Sequence, residues 1–487
     1  MMKLKIDSAA SGKAALEVLF FVKKSVQFSP VLSGKASAEV ERILEKIESE
    51  VYGDLEIVEI ENRKLIFVNA AKERGLSPLD HLRMAAYRLA KYAQKRQIEC
   101  VNLFLADASA EQVKSVFHGL AYAGYSFDRY KSKPKKIFAV TFEIVAMERV
   151  KEFKKIAAEV ETEQASITLA RNLINTSGSD LPPAGMALEA EKVAKECGLK
   201  IKIRDMKALV KEGFNGLVTV GKGSKNEPRL VTLEYRPVKA VKGVHLGIVG
   251  KGITFDTGGL CLKPQNGMWE MISDMSGSAA TLAAIRAVAL LKLPVQVTAV
   301  LVLAENAIGA GAVLPGDIFK AKNGKTVMVD NTDAEGRLIL SDGLSEAASY
   351  KVTHLIDLAT LTGAMSRALG YAVTGFFAND EKLAEAVIES GKASCEKFWQ
   401  MPLEEEYGDS LKTPFADMKN IGSEAGAVTA ALFLKEFVPE NIKWSHWDIA
   451  GTAFVTKEWK YTAFGATGIG VQTLIELARH LGNSHDK

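Results

Sequence analysis

Two short segments hold most of the chain's concentrated chemistry. The first runs Gly250-Lys251-Gly252-Ile253-Thr254-Phe255-Asp256-Thr257-Gly258-Gly259, continues through Leu262-Lys263-Pro264, and ends at Ser273-Asp274-Met275-Ser276-Gly277. Six glycines fall between positions 250 and 281, so the backbone there turns tightly or approaches something closely. The second segment is Asn331-Thr332-Asp333-Ala334-Glu335-Gly336-Arg337-Leu338. Asp333 and Glu335 are two apart, and in an extended stretch they face the same way. Four carboxylates (Asp256, Asp274, Asp333 and Glu335) converging at strand ends repel one another unless cations sit between them. A dinuclear divalent site needs about that many acidic ligands, some of them bridging. The chain has 7 histidines and no H-E-x-x-H pair, so a metal site here would be built from oxygen. Spacing alone leaves a second reading open, in which each acid is an independent, hydrated turn residue.

The elements that would position these residues follow from periodicity. Leu16–Val22, Leu55–Ile60, Leu65–Val68, Val101–Ala106 and Ile137–Ile144 are apolar, rich in Val, Ile and Phe, and predict strands. Ser77-Pro78-Leu79-Asp80 is a helix start, and Leu82, Ala85, Ala86 and Leu89 form one face of the helix after it. From Met147 to Asn175 apolar residues recur at three, four and seven, which predicts one helix of roughly 40 Å. Asn175-Thr176-Ser177-Gly178 and Pro182-Pro183 end it. The expected organisation is therefore a smaller α/β domain over 1–146, a linking helix over 147–175, and a catalytic domain over 176–487. In the last, strands are predicted at Leu217–Val220, Leu230–Tyr235, His245–Val249, Val295–Ala304, Thr326–Val329 and His354–Leu358. Helices are predicted at Ala184–Cys197, Gly277–Leu291, Leu338–Ser349, Ala427–Phe437 and Gly470–Leu481. Strands alternating with helices predict a mainly parallel sheet with its site beyond the carboxyl ends of the strands.

Composition narrows the function classes. With 487 residues, two domains are the default. The chain is 47% hydrophobic and 25% charged, which is that of a soluble globular protein. A net charge of +3 gives no reason to invoke nucleic acid or an acidic membrane as the main partner. Cys100, Cys197, Cys261 and Cys395 are far apart and match no disulfide framework or zinc knuckle, so a reducing compartment, the cytoplasm, is expected. Met1–Lys13 lacks an apolar run, and no stretch approaches the ~18 apolar residues that span a bilayer. The chain has no G-x-S-x-G and no G-x-x-x-x-G-K-[ST], so nucleophilic-serine and phosphoryl-transfer chemistry have little support.

The string Asn331–Leu338 resembles the signature of the leucyl aminopeptidase (cytosol aminopeptidase) family, and Gly250–Gly259 resembles that family's other metal-binding segment. Ala170–Asn175, Pro228–Leu230, Leu233–Arg236, Ala359–Ala364, Lys419–Gly422 and Gly465–Gly468 look like further family blocks, while the first domain is similar only in length and layout. The resemblance implies two adjacent divalent ions, zinc or manganese. One would be held by Lys251, Asp256, Asp274 and Glu335, and a more exchangeable one by Asp256, Asp333 and Glu335, so that Asp256 and Glu335 bridge. Lys251 would act as a neutral amine, its proton displaced by the cation's charge.

The same resemblance implies a bridging water or hydroxide as nucleophile, Lys263 as an ammonium meeting the oxyanion, and Arg337 holding a bicarbonate that moves the proton. A guanidinium cannot be a base but suits a small planar anion. Met271, Thr360, Gly363 and Ala450, with Ala453 beyond them, would form an apolar slot for the first side chain of a peptide. The family implies a homohexamer acting on peptides with a free, apolar N-terminal residue. Cys261 stands where a serine is expected, and Ser273 and Ser276 flank Asp274. None of these is a ligand position, so they bear on preference more than on chemistry. The rival readings are a DNA-binding regulatory protein on the same fold, which the charge disfavours, and a two-metal phosphatase or nuclease.

Overall fold

The computed structural model describes residues 3–9, 16–22, 25–28, 55–60, 63–69 and 75–483. The chain divides into two compact units, Met1–Gln164 with Glu458–Ala463, and Ala165–Lys457 with Phe464–Lys487.

The first unit is built on β1 (Lys3–Asp7), β2 (Leu16–Val22), β3 (Ser25–Phe28), β4 (Leu55–Ile60), β5 (Arg63–Asn69), β6 (Cys100–Phe104) and β7 (Thr141–Val145). Their order is β1-β7-β6-β2-β5-β4, with β3 on β2. Part of Met1–Lys13 lies outside the described residues, and Lys3–Asp7 within it pairs in parallel with β7. Helix α1 (Pro78–Lys95) starts as expected: Ser77 Oγ accepts from the Asp80 amide at 3.2 Å, with Pro78 at the first helical position. Leu82, Ala85, Ala86 and Leu89 are all buried. Helix α2 (Ala110–Tyr122) opens with a capping box between Ser109 and Gln112. Helix α3 (Val150–Ile174) follows a short 3-10 turn over Met147–Arg149.

The second unit is mixed α/β. Its strands are β8 (Lys200–Arg204), β9 (Arg229–Tyr235), β10 (His245–Asp256), β11 (Gln296–Asn306), β12 (Ile318–Lys320), β13 (Thr326–Met328), β14 (His354–Ala359), β15 (Thr374–Ala378), β16 (Phe398–Gln400), β17 (Met418–Lys419), β18 (Lys443–Asp448), β19 (Phe454–Val455) and β20 (Gly465–Ala466). Its helices are α4 (Pro183–Cys197), α5 (Met206–Glu212), α6 (Asn215–Gly221), α7 (Ser276–Leu290), α8 (Glu335–Ser349), α9 (Gly363–Leu369), α10 (Glu381–Ser394), α11 (Gly426–Lys435) and α12 (Val471–Asn483). The main sheet has the order β16-β15-β18-β14-β10-β11-β9-β8. The pairs at its centre, β18 with β14, β14 with β10 and β10 with β11, are parallel, while β11–β9, β9–β8 and β15–β18 are antiparallel. Every residue of β10 but Phe255 is buried, as befits a central strand covered on both faces.

Three local expectations are corrected. Leu217–Val220 is not a strand but part of α6, whose Leu217 amide donates to Asp342 Oδ2 at 2.8 Å. A four-residue apolar run does not separate a buried strand from a buried helix turn. The glycine-rich stretch after Val249 continues β10 as far as Asp256, and Gly258 (φ 87°), Gly259 (φ 63°) and Gly267 (φ 84°) beyond it turn in the left-handed region. Gly250 serves close approach instead: a Cβ there would lie 2.5 Å from Ser278 Cα, so α7 could not seat against the strand. Asp333 and Glu335 are not on an extended stretch either, because Glu335 is the first residue of α8 and Ala334 precedes it at ψ 39°.

Candidate functional site

The parallel strands end together, and their ends supply the site. Asp256 closes β10, Asn306 closes β11, Thr360 follows β14, and Ala450 lies just past β18. Asp274 comes from the 3-10 segment Met268–Met275 that leads into α7, and Glu335 opens α8. Both helices thus begin at the site, where their free N–H groups favour negative charge. A cavity of about 560 Å³ is lined by all eleven expected residues: Lys251, Asp256, Asp274, Asp333 and Glu335, then Lys263 and Arg337, then Met271, Thr360, Gly363 and Ala450. Ala453 is buried and is not among the lining residues.

The charged groups interlock. Lys251 Nζ donates to Asp274 Oδ1 at 2.9 Å and to the Thr360 carbonyl at 3.0 Å, and lies 2.8 Å from Glu335 Oε1. Gly336 leaves room for it, since a Cβ there would lie 2.7 Å from Lys251 Nζ. Lys263 Nζ lies 2.8 Å from Asp256 Oδ2 and 2.6 Å from Asp333 Oδ1. Asp256 Oδ1 accepts from the Gly258 amide and from Asn306 Nδ2, both at 2.8 Å. Ligand oxygens of Asp256, Asp333 and Glu335 all lie within 4.8 Å of one another.

Lys251, Asp256, Asp274, Glu335 and Arg337 are each no more than 5% exposed. Burial, with Asp256 next to it, pushes the Glu335 carboxyl well above its ordinary value. Burial raises Asp274 and Asp333 in the same direction. For Lys251 burial works against the charge, but Asp274, Glu335 and Asp256 outweigh it and hold the amine protonated, and Lys263 follows the same balance. Burial lowers Arg337 to about 10.

Four carboxylates thus face two ammonium groups, and polar atoms are left over. Among the described residues Glu335 Oε2 and Arg337 Nε and Nη1 are buried without a hydrogen-bond partner. A surplus of carboxylate oxygens spaced this closely fits hard or borderline divalent cations, and an unpaired buried guanidinium edge fits an anion. The arrangement as it stands can bind cations, hold a small anion next to them and offer an ammonium to developing negative charge.

Sequence reasoning missed the residues that hold this set in place. Asn420, fully buried, accepts from the amides of Asp330 and Asn331 through Oδ1 and donates to the Asn331 carbonyl at 2.6 Å, which fixes the loop before Glu335. Asn306 Nδ2 joins Asp256 to the Thr332 carbonyl at 3.1 Å. Asp448 accepts from Thr362 Oγ1 at 2.6 Å and from the amides of Leu361 and Ala450, tying together two walls of the cavity. Asn420 lies in the block Lys419–Gly422, which was a usable signal; Asn306 and Asp448 stand at the ends of buried strands with no motif around them.

Residues 168–475 match the model of the cytosol aminopeptidase family, catalytic domain. A probable cytosol aminopeptidase of Solibacter usitatus is 42% identical over 415 residues, 85% of this chain and 86% of its own. One of Aquifex aeolicus is 41% identical over 408 residues, 82% of this chain and 81% of its own. Among solved structures, a mutant of tomato leucine aminopeptidase is similar with a TM-score of 0.86 and 30% identity, covering 99% of this chain and 97% of that one. The bottromycin maturation enzyme BotP in complex with Mn is similar with a TM-score of 0.83 and 29% identity, covering 96% of this chain and 100% of that one. The chain belongs to the cytosol aminopeptidase family of metal-dependent peptidases and is a leucyl-aminopeptidase-type hydrolase.

Proposed function

We propose that the chain removes the first residue from peptides with a free, apolar N-terminus, using two divalent cations, zinc or manganese, held by Lys251, Asp256, Asp274, Asp333 and Glu335. The observation that carries this reading is the cluster of Asp256, Asp333 and Glu335, with ligand oxygens within 4.8 Å of one another and Glu335 Oε2 unpartnered. When bound, the cations supply Lewis-acid sites for the unprotonated amine and the scissile carbonyl, and lower the pKa of a water so that it attacks at neutral pH.

The chain's own groups do the rest. Asp256 and Glu335 would be the ligands shared by both ions. Lys251 reaches Asp274 and Glu335 from a buried position and would join the ligand set as a neutral amine. Lys263 enters the cavity beside Asp256 and Asp333, where its ammonium meets the oxyanion that grows as the carbonyl is attacked. Arg337 offers two unpartnered N–H groups that would hold a planar anion such as bicarbonate, and such an anion would supply a proton-transfer group at this wall of the cavity.

Selectivity follows from what is committed elsewhere. The four carboxylates deep in the cavity are engaged with lysines or proposed as cation ligands, so none of these four remains for a substrate ammonium, Glu424 lies on the rim, and an unblocked neutral amine is the form proposed to bind. The carbonyl next to it is then the one within reach of Lys263. Met271, Gly363 and Ala450 line an apolar, adaptable slot for the side chain. Leucine and methionine amides should turn over well and N-acetyl-leucine amide not at all; efficient cleavage of the acetylated compound would make this an amidase or endopeptidase. We further propose a cytoplasmic homohexamer, for which light scattering across dilutions should return one large, stable species rather than a monomer. Among the described residues no helix is long and apolar enough to cross a membrane.

A further inference from the structure

The lysines deep in the cavity are all matched to carboxylates, but two charges on its rim are not. Arg367 and Glu424 line the same cavity and are exposed, and among the described residues neither side chain has an ion-pair or hydrogen-bond partner, nor are they paired with each other. Arg367 sits on α9, one turn beyond Gly363. Its guanidinium folds back along the helix, so that a Cβ built on Gly363 would lie 3.6 Å from Arg367 Nη1. Long helical side chains take this direction because they lean toward the helix N-terminus. Gly363 has no side chain of its own, so the wall there is backbone with a cation over it.

We infer that Arg367 reads a carboxylate on the first residue of the peptide, extending the enzyme's substrates to N-terminal Glu and Asp. This rests on the aminopeptidase reading, which makes Gly363 a wall of the slot for the first side chain. An apolar slot alone rejects a carboxylate, because the charge loses water and gains no partner. The planar guanidinium supplies that partner in two-pronged geometry, at a cavity rim where solvent still reaches both groups. Leucine and methionine continue to use Met271 and Ala450, whereas an acidic side chain of similar length reaches past them to the edge held by Arg367. Glu424 opposes this, but it belongs to the separate segment before α11, whose Gly426 faces Ala364 rather than Gly363: a Cβ on Gly426 would lie 3.3 Å from Ala364 Cβ.

The test compares kcat/KM for glutamyl and glutaminyl amides, which differ in charge but hardly in shape. The ratio of the two should fall about 1.5- to fivefold in Arg367→Gln, the size of a solvent-exposed arginine–carboxylate contact, and further in Arg367→Glu, which should also favour lysyl amide. The wild-type ratio should fall as salt is raised. A parallel pair, Leu-Gly and its C-terminal amide, reads the other source of a carboxylate. If only that second ratio responds to Arg367→Gln, the residue reads the peptide's C-terminus and the inference about the first side chain is overturned. If neither ratio moves while leucine amide is hydrolysed by the unmodified enzyme, Arg367 reads no carboxylate. If the unmodified enzyme leaves leucine amide intact, the aminopeptidase reading itself fails and this one with it.

Discussion

Two clusters of charge lie along the same sheet, one beyond its strand ends and one within it, and they differ in how their carboxylates are paired. At the ends of the central strands, Asp256, Asp274, Asp333 and Glu335 share two ammonium groups, and Glu335 Oε2 is left without a partner. Further back, Asp357 on β14 faces its register partner His446 on β18. There each carboxylate oxygen ends on one donor: Trp444 Nε1 donates to Oδ2 at 2.7 Å, and His446 Nδ1 lies 2.6 Å from Oδ1. Asp357, His446 and Trp444 are wholly buried. Burial of charge is therefore no sign of function by itself. The carboxylate of the second cluster is matched at both oxygens and, closed from solvent, joins two strands, although the far ring nitrogen of His446, Nε2, is buried without a partner. The unmatched one lines a cavity and stores a demand for cations that the protein does not meet with its own side chains.

Removing Glu335 should have the largest effect. In Glu335→Ala, and equally in Asp256→Ala, turnover of leucine amide should vanish and bound metal should fall, since each residue is proposed to serve both ions. A Glu335→Ala enzyme with full metal content and near-normal rate would end that assignment. Arg337→Ala should come next, slowing kcat by roughly 10²–10⁴, the range of a general-base contribution, with metal content unchanged. The intact enzyme should slow in the same sense in buffer stripped of bicarbonate, and no response to depletion would assign the proton transfer to another group.

The matched cluster should answer differently. Asp357→Asn puts an amide donor opposite either Trp444 Nε1 or His446, and should cost about 1–3 kcal/mol of stability in denaturant unfolding, with the bound-ion count kept. A loss of metal in that variant would erase the distinction between the two clusters. The smallest effect is a pH slope. Burial lowers the His446 pKa, but Asp357 outweighs it and the value is raised above the ordinary 6.5. The stabilisation from this pair is then fully present below pH 6.5 and lost as pH rises through the folded value. His245 and His354, which burial holds down to about 4, act the other way and remove stability as pH falls from 6.5 toward 4. The difference between wild type and Asp357→Asn isolates the first term, and it should shrink as pH rises; a flat difference would mean that His446 does not titrate against Asp357.

The sequence was most legible where chemistry was dense. Gly250–Gly277 and Asn331–Leu338 could be read because several charged residues and glycines crowd into few positions, and the cavity is lined by the eight expected residues that lie in them, while Thr360, Gly363 and Ala450 came from the family resemblance alone. The alternation of the second unit was legible too, since long apolar helices and central strands announce themselves by period and length. Three kinds of residue were not. Lys443–Asp448 is a strand buried on both faces, and Trp, Ser, His and Asp in succession show no alternation to read. Lys200–Arg204 does alternate, with its lysines exposed, but five residues are a weak periodic signal. Asn306 and Asp448 hold the site through hydrogen bonds to partners far away in sequence, and such geometry leaves no local pattern.

The most direct test of the difference between the two clusters is the number of divalent ions bound per chain, measured by elemental analysis of the purified protein and of Glu335→Gln, together with leucine amide turnover after chelation. Two ions per chain, loss of turnover on their removal, recovery with zinc or manganese, and a lowered count in Glu335→Gln are the expected result. Turnover that persists in fully metal-free protein would contradict the claim that the unmatched carboxylates exist to hold cations.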